Sequence, residues 1–508
     1  MFVRKVVNSS GNTAVQVVRK INRRNKIVKH LGTAKNQSEL TELLKLGQQF
    51  IDQKRIKSGI ISLFDNRFKK GELEKILSRL SFKKPTDRLT YDFLSSFYQK
   101  IGFAKLKDKC FKDLVIARIV QPESKRATAR LLEARFNRKY PLNKIYETLR
   151  IADRSLYQQK AEEIVKDFVL QNITPKISIL FFDVTTLYFE TFSEDSFRRF
   201  GFSKDNKANQ PQITVALTVT KYGIPLSFKS FEGNKFEGHT MLPVIFTLIK
   251  TFNLKKEEIV VVADSAMLRK DNLKLLSEKG LSYIVGARLG NLTDTIFKEV
   301  VKKAVKKDGE TLRIPSSSNQ VLVVSYSQKR AAKDKSDREK QVKKAAEILS
   351  RPQIVSSRYK FLTFQSGRYE LNQTLIQKSK ALEGLKGYVT NAINLTDKEI
   401  VQKYQELWQI EKAFRMSKSD LKARPVFHTL RESIEAHLLI VFVALAICRN
   451  IELVIGKSIA TVVRALNQVK EIAVEDNLSH EKVLKSTELT KEAEEILRLA
   501  KSSGSPKK

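Results

Sequence analysis

Five side chains toward the C-terminal end of this 508-residue chain, Tyr404, Trp408, Glu411, Arg415 and Lys418, recur at steps of four, three, four and three. At about 100° per residue, that spacing predicts one face of one helix. Leu407, Ile410 and Phe414 form an apolar stripe beside it that would seat the helix on a core. A carboxylate on a rigid element, flanked by an aromatic pair and two cations, suits a metal ligand placed next to a polyanion. Such a site needs more carboxylates, and two buried-strand patterns supply them. Residues 177–184 read Ile-Ser-Ile-Leu-Phe-Phe-Asp-Val, with Asp183 near the end of the run. Residues 259–266 read Ile-Val-Val-Val-Ala-Asp-Ser-Ala, an apolar run closed by Asp264. An acid at the end of an apolar strand can point into a cleft without being stranded in the core. Asp183, Asp264 and Glu411 are therefore the candidate catalytic and metal-binding residues. Their donors are all oxygens, which suits Mg²⁺ or Mn²⁺. Two such ions ~4 Å apart would clamp the attacking and leaving oxygens of a phosphodiester. Taken singly, each acid also reads as a turn residue, a cap or a solvated salt-bridge partner; it is the joint pattern that singles them out.

The elements around these acids follow an α/β order. After the Asp183 strand comes Thr186–Phe192. Ile213–Val219 and Pro225–Phe231 then pair around the turn Lys221-Tyr-Gly. A helix is predicted over His239–Phe252, then the Asp264 strand, a helix over Lys270–Lys279 and a strand over Tyr283–Gly286. Asn234 and His239, in or just after a Gly-Asn turn, are near-site candidates. Asp264 and Glu411 lie 411 − 264 = 147 residues apart, too far for one loop, so an inserted domain must lie between them. Within it, 310–327 and 359–390 read as strands, and Lys329–Leu349 as a basic helix. This insertion is either a DNA contact or a structural platform. Thr396 and Glu399 have capping-box spacing at the start of the Glu411 helix. Arg424-Pro425 ends that stretch, and Ile434–Leu453 reads as a buried helix.

The chain carries 94 Lys plus Arg against 55 Asp plus Glu, a net charge of +39. That balance points to a polyanionic partner, nucleic acid above all, although a generally solvated basic surface shares it. Residues 1–31 alternate apolar and basic around Asn8-Ser-Ser-Gly-Asn and read as a β-hairpin or meander. Its cations, Arg23 among them, either touch DNA or protect an edge strand. An amphipathic helix follows over 36–56. Residues 86–172 read as short helices separated by Gly102, Pro122, Pro141 and Asp153. Their basic midsection, with Arg126 and Arg130, is either a helix-turn-helix-like DNA-binding module or the solvated face of a plain bundle. Cys110 and Cys448 fit no metal spacing and read as reduced, buried residues of a reducing cytosol. No signal-peptide pattern opens the sequence. The apolar run Leu438–Cys448 is too short to span a bilayer and reads as a core helix. Residues 502–508 should be a disordered tail.

Several segments together resemble a family. They are Phe-Phe-Asp-Val-Thr-Thr-Leu-Tyr-Phe-Glu around Asp183, Gly223-Ile-Pro-Leu, Glu232-Gly-Asn, Ala263-Asp-Ser-Ala, Gly384-Leu-Lys-Gly-Tyr-Val-Thr-Asn and Phe414-Arg-Met-Ser-Lys-Ser-Asp-Leu. With Tyr404, Glu411 and Lys418 in register, the chain resembles the DDE transposases of the IS4 superfamily, IS1634-type group, from about residue 90 to about 450. That family's third-acid motif reads Tyr, two residues, Arg, three residues, Glu, six residues, Lys. Leu407 stands here in place of the Arg, which leaves Arg415 or Lys403 to take that role.

The resemblance implies an α/β fold: an RNase H-like catalytic core interrupted by a β-rich insertion domain, with a C-terminal helical region. The ranges would be an N-terminal basic β-hairpin plus helix at 1–60 and a helical DNA-binding region at 61–173. The core would occupy 174–290 and 393–455, the insertion 291–392 and the helical tail 456–508. It implies metal-dependent cleavage and strand transfer of insertion-sequence ends, with two Mg²⁺ or Mn²⁺ ions held by Asp183, Asp264 and Glu411. The partners would be double-stranded DNA, as terminal inverted repeats and target, and a second copy of the chain in a synaptic homodimer. The location would be the bacterial cytoplasm, at the nucleoid. Tyr404 and Lys418 would contact phosphates near the scissile bond, with Arg415 offsetting charge. Trp408, the only Trp, would stack on a flipped base or pack beside the sheet. The alternatives are an RNase H-like nuclease without strand transfer, and a non-catalytic, transposase-derived DNA-binding protein.

Overall fold

The computed structural model describes residues 1–9, 11–21, 24–57, 77–150, 154–202, 209–267, 270–304, 306–317, 319–350, 359–365, 368–478 and 480–502. Arg23, the Asp153 breaker and the tail from 503 onward lie outside these residues. The chain divides into two compact units, 1–84 with 472–485, and 85–471 with 486–508.

The first unit opens with an antiparallel meander of β1 (Phe2–Val7), β2 (Thr13–Ile21) and β3 (Arg24–Ala34). Ala14, Val15, Val17 and Val18 of β2 are buried beneath α1 (Gln37–Lys57). On the next strand, the Lys29 ammonium sits over the Phe50 ring at 4.8 Å. A second small sheet joins β4 (Leu80–Phe82) to β15 (Glu471–Asp476) and β16 (Lys482–Ser486). The segment 456–508, expected to be a helical tail that turns polar, thus contains a β-hairpin. Its partner β4 lies nearly 400 residues away (476 − 80 = 396), so no local signal points to the pairing.

The second unit begins with helices α2 (Arg88–Ile101), α3 (Lys109–Val120), α4 (Lys125–Phe136), α5 (Leu142–Leu149) and α6 (Arg154–Asn172). Strands β5 (Ile179–Tyr188), β6 (Gln212–Val219) and β7 (Pro225–Glu232) follow, then α7 (Met241–Phe252), β8 (Val260–Ala263), α8 (Lys270–Glu278) and β9 (Ser282–Ala287). Strands β5, β8 and β9 are mutually parallel, and α7 and α8 lie in the connections that parallel pairing requires. The antiparallel β6 is buried at every position, as a central strand covered on both faces should be.

Beyond β9 come α9 (Asp294–Lys303), β10 (Thr311–Ser317), β11 (Gln320–Tyr326), α10 (Gln328–Leu349), β12 (Leu362–Gln365), β13 (Arg368–Leu371), α11 (Gln373–Ala381) and β14 (Leu385–Thr390). Three of these strands lengthen the central sheet instead of forming a separate one. Among the described residues its order is β10-β11-β14-β9-β8-β5-β6-β7. The period-two alternation of β11 explains this. Val323 faces the main core, while Leu322 and Val324 face a second cluster with Leu289, Val300, Ile314 and Leu385. Helices α10 and α11 and the β12–β13 hairpin stand apart, around Ala345, Phe361, Leu362 and Ile376.

The chain closes this unit with α12 (Asp397–Gln405), α13 (Trp408–Ser419), α14 (Arg431–Ile455), α15 (Ile459–Asn467) and α16 (Lys491–Ser502). Helix α14 is long and apolar enough to cross a membrane by length and composition, yet residues 436–451 are all buried inside the protein, against α3, α6 and β7 among others. Cys110 and Cys448 are both buried and unpaired.

Candidate active site

Strand register places the first two acids. In the parallel pair β5–β8, Phe182 lies opposite Ala263, so the next residues, Asp183 and Asp264, stand at one level. Asp183 is not near the end of its own strand, as the sequence predicted. It sits mid-strand, because pairing with β6 carries β5 on to Tyr188. The strand that ends here is β8, whose early stop leaves Asp183 half-exposed between buried neighbours. Ala263 makes the last ladder pair, and the carboxylate that follows it turns the chain away. Asp264 Oδ1 accepts the Ala266 N–H at 2.8 Å, leading into the 3-10 turn Ser265–Met267. Asp183 Oδ1 accepts the Val184 N–H at 2.7 Å.

The third acid rides on α13, but not on the single long helix expected. The ladder tightens at Glu406–Leu407, where Leu407 N–H bonds Tyr404 O at 3.0 Å and Ile410 N–H bonds Leu407 O at 3.1 Å. These are i→i−3 bonds, and they separate α12 from α13. Tyr404 therefore leaves the exposed stripe and is buried, while Trp408, Glu411 and Arg415 stay exposed and Lys418 is half-buried. Leu407, Ile410 and Phe414 are buried as predicted, and α13 packs on β5 and β6. The capping box at Thr396 and Glu399 is formed.

A buried polar cluster fixes α13 from behind. Arg449 of α14 donates from Nη2 to Gln409 Oε1 at 2.7 Å and to Tyr222 O at 3.0 Å, and from Nε to Gly223 O at 3.3 Å. Its Nη1 meets Glu452 at 2.8 Å, and Lys412 of α13 reaches the same carboxylate at 2.7 Å. Gly223 has a φ of +74°, and a Cβ there would collide with the Arg449 guanidinium. Gln409 and Lys412 flank Glu411, so this cluster sets the azimuth of the acid.

Tyr404 of α12 is buried beside this region. Burial raises the pKa of its hydroxyl well above the ordinary tyrosine value, and Asp264, Tyr388, Glu411 and Asp183 push it further. All three carboxylates thus act on one hydroxyl. A Cβ on Gly286 of β9 would strike that oxygen, which keeps this position a glycine. Tyr388 meets the Tyr404 ring edge-on at 4.9 Å between centroids. Lys386, two residues before Tyr388 on β14, places its ammonium 4.5 Å from the centre of the same ring. Burial and Arg330 lower its pKa, and Glu411 opposes them. Sequence reasoning assigned no role to Lys386, although it lies inside the segment Gly384-Leu-Lys-Gly-Tyr. Its spacing from Tyr388, one strand repeat, was the available signal. Leu407, in the place where the family motif has an Arg, is buried; Lys386 brings a cation toward Glu411 from the sheet instead.

Asn234 borders a cavity of about 610 Å³ together with Thr186, Ser265, Ala266 and Arg288. The turn Glu237–His239 packs on the turn Ser265–Met267, and the His239 ring stands edge-on to Phe236. Both residues therefore lie beside the turn that follows Asp264. Arg126 and Arg130 are exposed, one helical turn apart on α4, which packs on α3 and α5. Trp408 is 50% exposed, so core packing is not its role in this conformation.

Residues 174–447, just over half of the chain, match the family described as "Transposase DDE domain". The chain belongs to that family. The DDE domain spans β5, β8 and α13, and so contains Asp183, Asp264 and Glu411. It makes the chain a DNA transposase, and domains of this family generally use divalent metals. No curated protein matches the sequence. A solved structure, described as a cryo-EM structure of the piggyBac transposase synaptic complex with hairpin DNA, is 13% identical to the chain. The match covers 82% of this chain and 70% of that one at a TM-score of 0.34, a likeness too loose to carry an argument. As for a metal, the donor chemistry of the acids fits a hard divalent cation. Among the described residues, however, no group of three or more His, Cys, Asp or Glu side chains is placed to hold a metal ion.

Proposed function

We propose that this DDE transposase cleaves the ends of an insertion sequence and joins them to target DNA, a cut-and-paste reaction of the IS4, IS1634-type kind. The single observation behind this is that Asp183 and Asp264 stand at one level on adjacent parallel strands, with the Glu411 helix packed across the first of them. The order β7-β6-β5-β8-β9, with β6 antiparallel to its neighbours, supports an RNase H-like core, with 291–392 entering between β9 and α12. A net charge of +39 supports duplex DNA as the partner, in the cytoplasm at the nucleoid. Synapsis of two ends would require a homodimer.

In this reading the three carboxylates would hold two Mg²⁺ or Mn²⁺ ions, whose charge would stabilise an in-line phosphoryl transfer. Water attacks the phosphorus at the transposon end, the P–O3′ bond breaks and the departing oxygen takes a proton to become a 3′-OH. That hydroxyl then attacks a target phosphodiester, and a target 3′-oxygen leaves in its turn. Burial raises the Tyr404 hydroxyl well above the ordinary tyrosine value, which favours a role as a hydrogen-bond donor. Lys386, Arg415 and Lys418 offset charge developing on the non-bridging oxygens. Trp408 offers an exposed face for a displaced base, and Arg126 and Arg130 offer phosphate contacts farther along the duplex.

The test is cleavage and strand transfer on end-containing DNA with Mg²⁺, comparing the native chain with Asp264→Ala and Glu411→Ala. Loss of both steps in each variant is expected. Activity retained by either would remove that residue from the mechanism. Cleavage without joining by the native chain would leave a nuclease, and binding without cleavage would leave a DNA-binding protein.

A further inference from the structure

A second cationic site lies away from the acids, in a cavity of about 380 Å³ between the helical region and the loop that follows α13. Its walls come from the end of α3, the start of α4, residues 422–428 and α14. Lys125, in the first turn of α4, is only 7% exposed, and among the described residues its ammonium has neither a hydrogen-bond nor an ion-pair partner. Arg118, equally buried, donates to the Glu123 carbonyl at 3.4 Å, its only hydrogen bond among the described residues. Lys422 and Arg126 stand at the exposed rim. Glu123, the carboxylate on this wall, accepts from Gln121 at 3.3 Å and acts on Arg118, but it faces five lining cations, Arg118, Lys125, Arg126, Lys422 and Arg424, which leaves the cavity positive. His437 faces Ala423 O through Nε2 at 3.2 Å, and its Nδ1 is buried with no partner among the described residues.

A buried ammonium without a counter-charge is costly, and so is an orphaned ring nitrogen. The two cations also act on the histidines beside them: burial, with Lys125 and Arg118, pushes His428 down to about 4 and His437 well below the ordinary histidine value. The start of a 12-residue helix adds its own positive end, although Ser124 caps it by taking the Ala127 N–H at 3.3 Å. We infer that this cavity binds a phosphate group, gripped by Lys125 and Arg118 at the N-terminus of α4. The inference deepens the transposase reading and rests on it, because a backbone phosphate of bound DNA is the ligand that reading supplies; free inorganic phosphate has the same chemistry. The loop 422–428 follows directly from the Glu411 helix, and its Val426 N–H bonds Tyr188 O at 3.2 Å, at the end of the Asp183 strand. A phosphate held here would therefore register the duplex relative to the acid cleft.

The experiment compares the native chain with Lys125→Met and with Lys422→Gln, an exposed change that leaves the fold intact. Two readouts are followed: Tm with inorganic phosphate against chloride at matched ionic strength, and duplex-DNA affinity across a salt series without Mg²⁺. Phosphate should raise the native Tm. Lys125→Met should be more stable than the native chain in chloride, gain nothing from phosphate and bind duplex about tenfold more weakly. Its salt slope should fall by about 1. Lys422→Gln should shift both readouts the same way by less. Phosphate protection lost in Lys125→Met with unchanged DNA affinity would identify free phosphate as the ligand. No phosphate protection, together with unchanged DNA affinity and slope in Lys125→Met, would overturn the site. Glu411→Gln should keep both Lys125-dependent effects while losing cleavage, so failure of the catalytic reading and failure of the pocket give different results.

Discussion

Asp183 and Asp264 are positioned by backbone; Glu411 is positioned by side chains. The first two owe their level to one ladder, β5 against β8, in which a register slip would turn every side chain to the opposite face. The third depends on Gln409, Lys412, Arg449 and Glu452, four side chains that must all be charged or polar and correctly turned. A sheet holds its acids with hydrogen bonds that every sequence can make. A helix laid across that sheet needs specific anchors. The strand half of the site should therefore tolerate neighbouring substitutions that the helix half does not.

The largest expected effect removes an acid without touching either support. Asp183→Asn or Asp264→Asn should lower the cleavage rate by about 10³-fold with little change in Tm, measured on end-containing DNA with Mg²⁺. Arg449→Leu attacks the helix anchor alone. It leaves the Glu452 carboxylate with Lys412 and the Ile459 N–H as its remaining partners, and should cost about 3 kcal/mol of stability by denaturant unfolding. The same variant should slow cleavage per folded molecule at low temperature. An unchanged rate would show that Glu411 does not depend on the anchor, and the contrast between the two halves would fail. Gln409→Leu removes one acceptor from a buried guanidinium and should cost about 2 kcal/mol, with a smaller rate loss of the same kind. Tyr404→Phe deletes the buried hydroxyl proposed to donate in the acid cleft. It should reduce cleavage about tenfold and leave DNA affinity in the absence of metal unchanged.

The smallest effect lies outside the site. Burial raises the Glu162 carboxyl from 4.5 to about 7, although Oε1 accepts from Gln158 at 2.8 Å, Ser227 at 3.0 Å and the Phe228 N–H at 3.2 Å. Folding favours its protonated form. Its contribution is full below pH 4.5 and is lost as pH rises through 7. Glu162→Gln should match the native Tm at pH 5, exceed it at pH 8 and flatten the profile between. An unchanged slope would mean the carboxyl is not protonated in the folded state.

Much of the strand half was legible because apolar runs of β-branched residues announce buried strands, and an acid inside such a run is conspicuous. The position of Asp183 within its strand was not, because the pairing of β5 with β6 beyond it involves residues 212–219. The apolar stripe Leu407, Ile410 and Phe414 was also legible. The break at Glu406–Leu407 was hidden, since neither Gly nor Pro marks it. The strands at 310–327 could be read, and so could those within 359–390, though the helix Gln373–Ala381 interrupts that second span; that they would join the central sheet could not, because edge pairing leaves no trace in either sequence alone. The anchors on α14 escaped for a different reason. Arg449 and Glu452 flank an apolar run and read as its solvent-facing end, whereas the β6–β7 turn folds over them.

The early stop of β8 has one more implication. Where one strand quits and its neighbour continues, the sheet has a step, and a rigid rod such as a duplex can rest a strand on it without prising paired strands apart. Adding one more ladder pair at Ser265 would fill that step with backbone. The opening would close although every acid remained in the sequence.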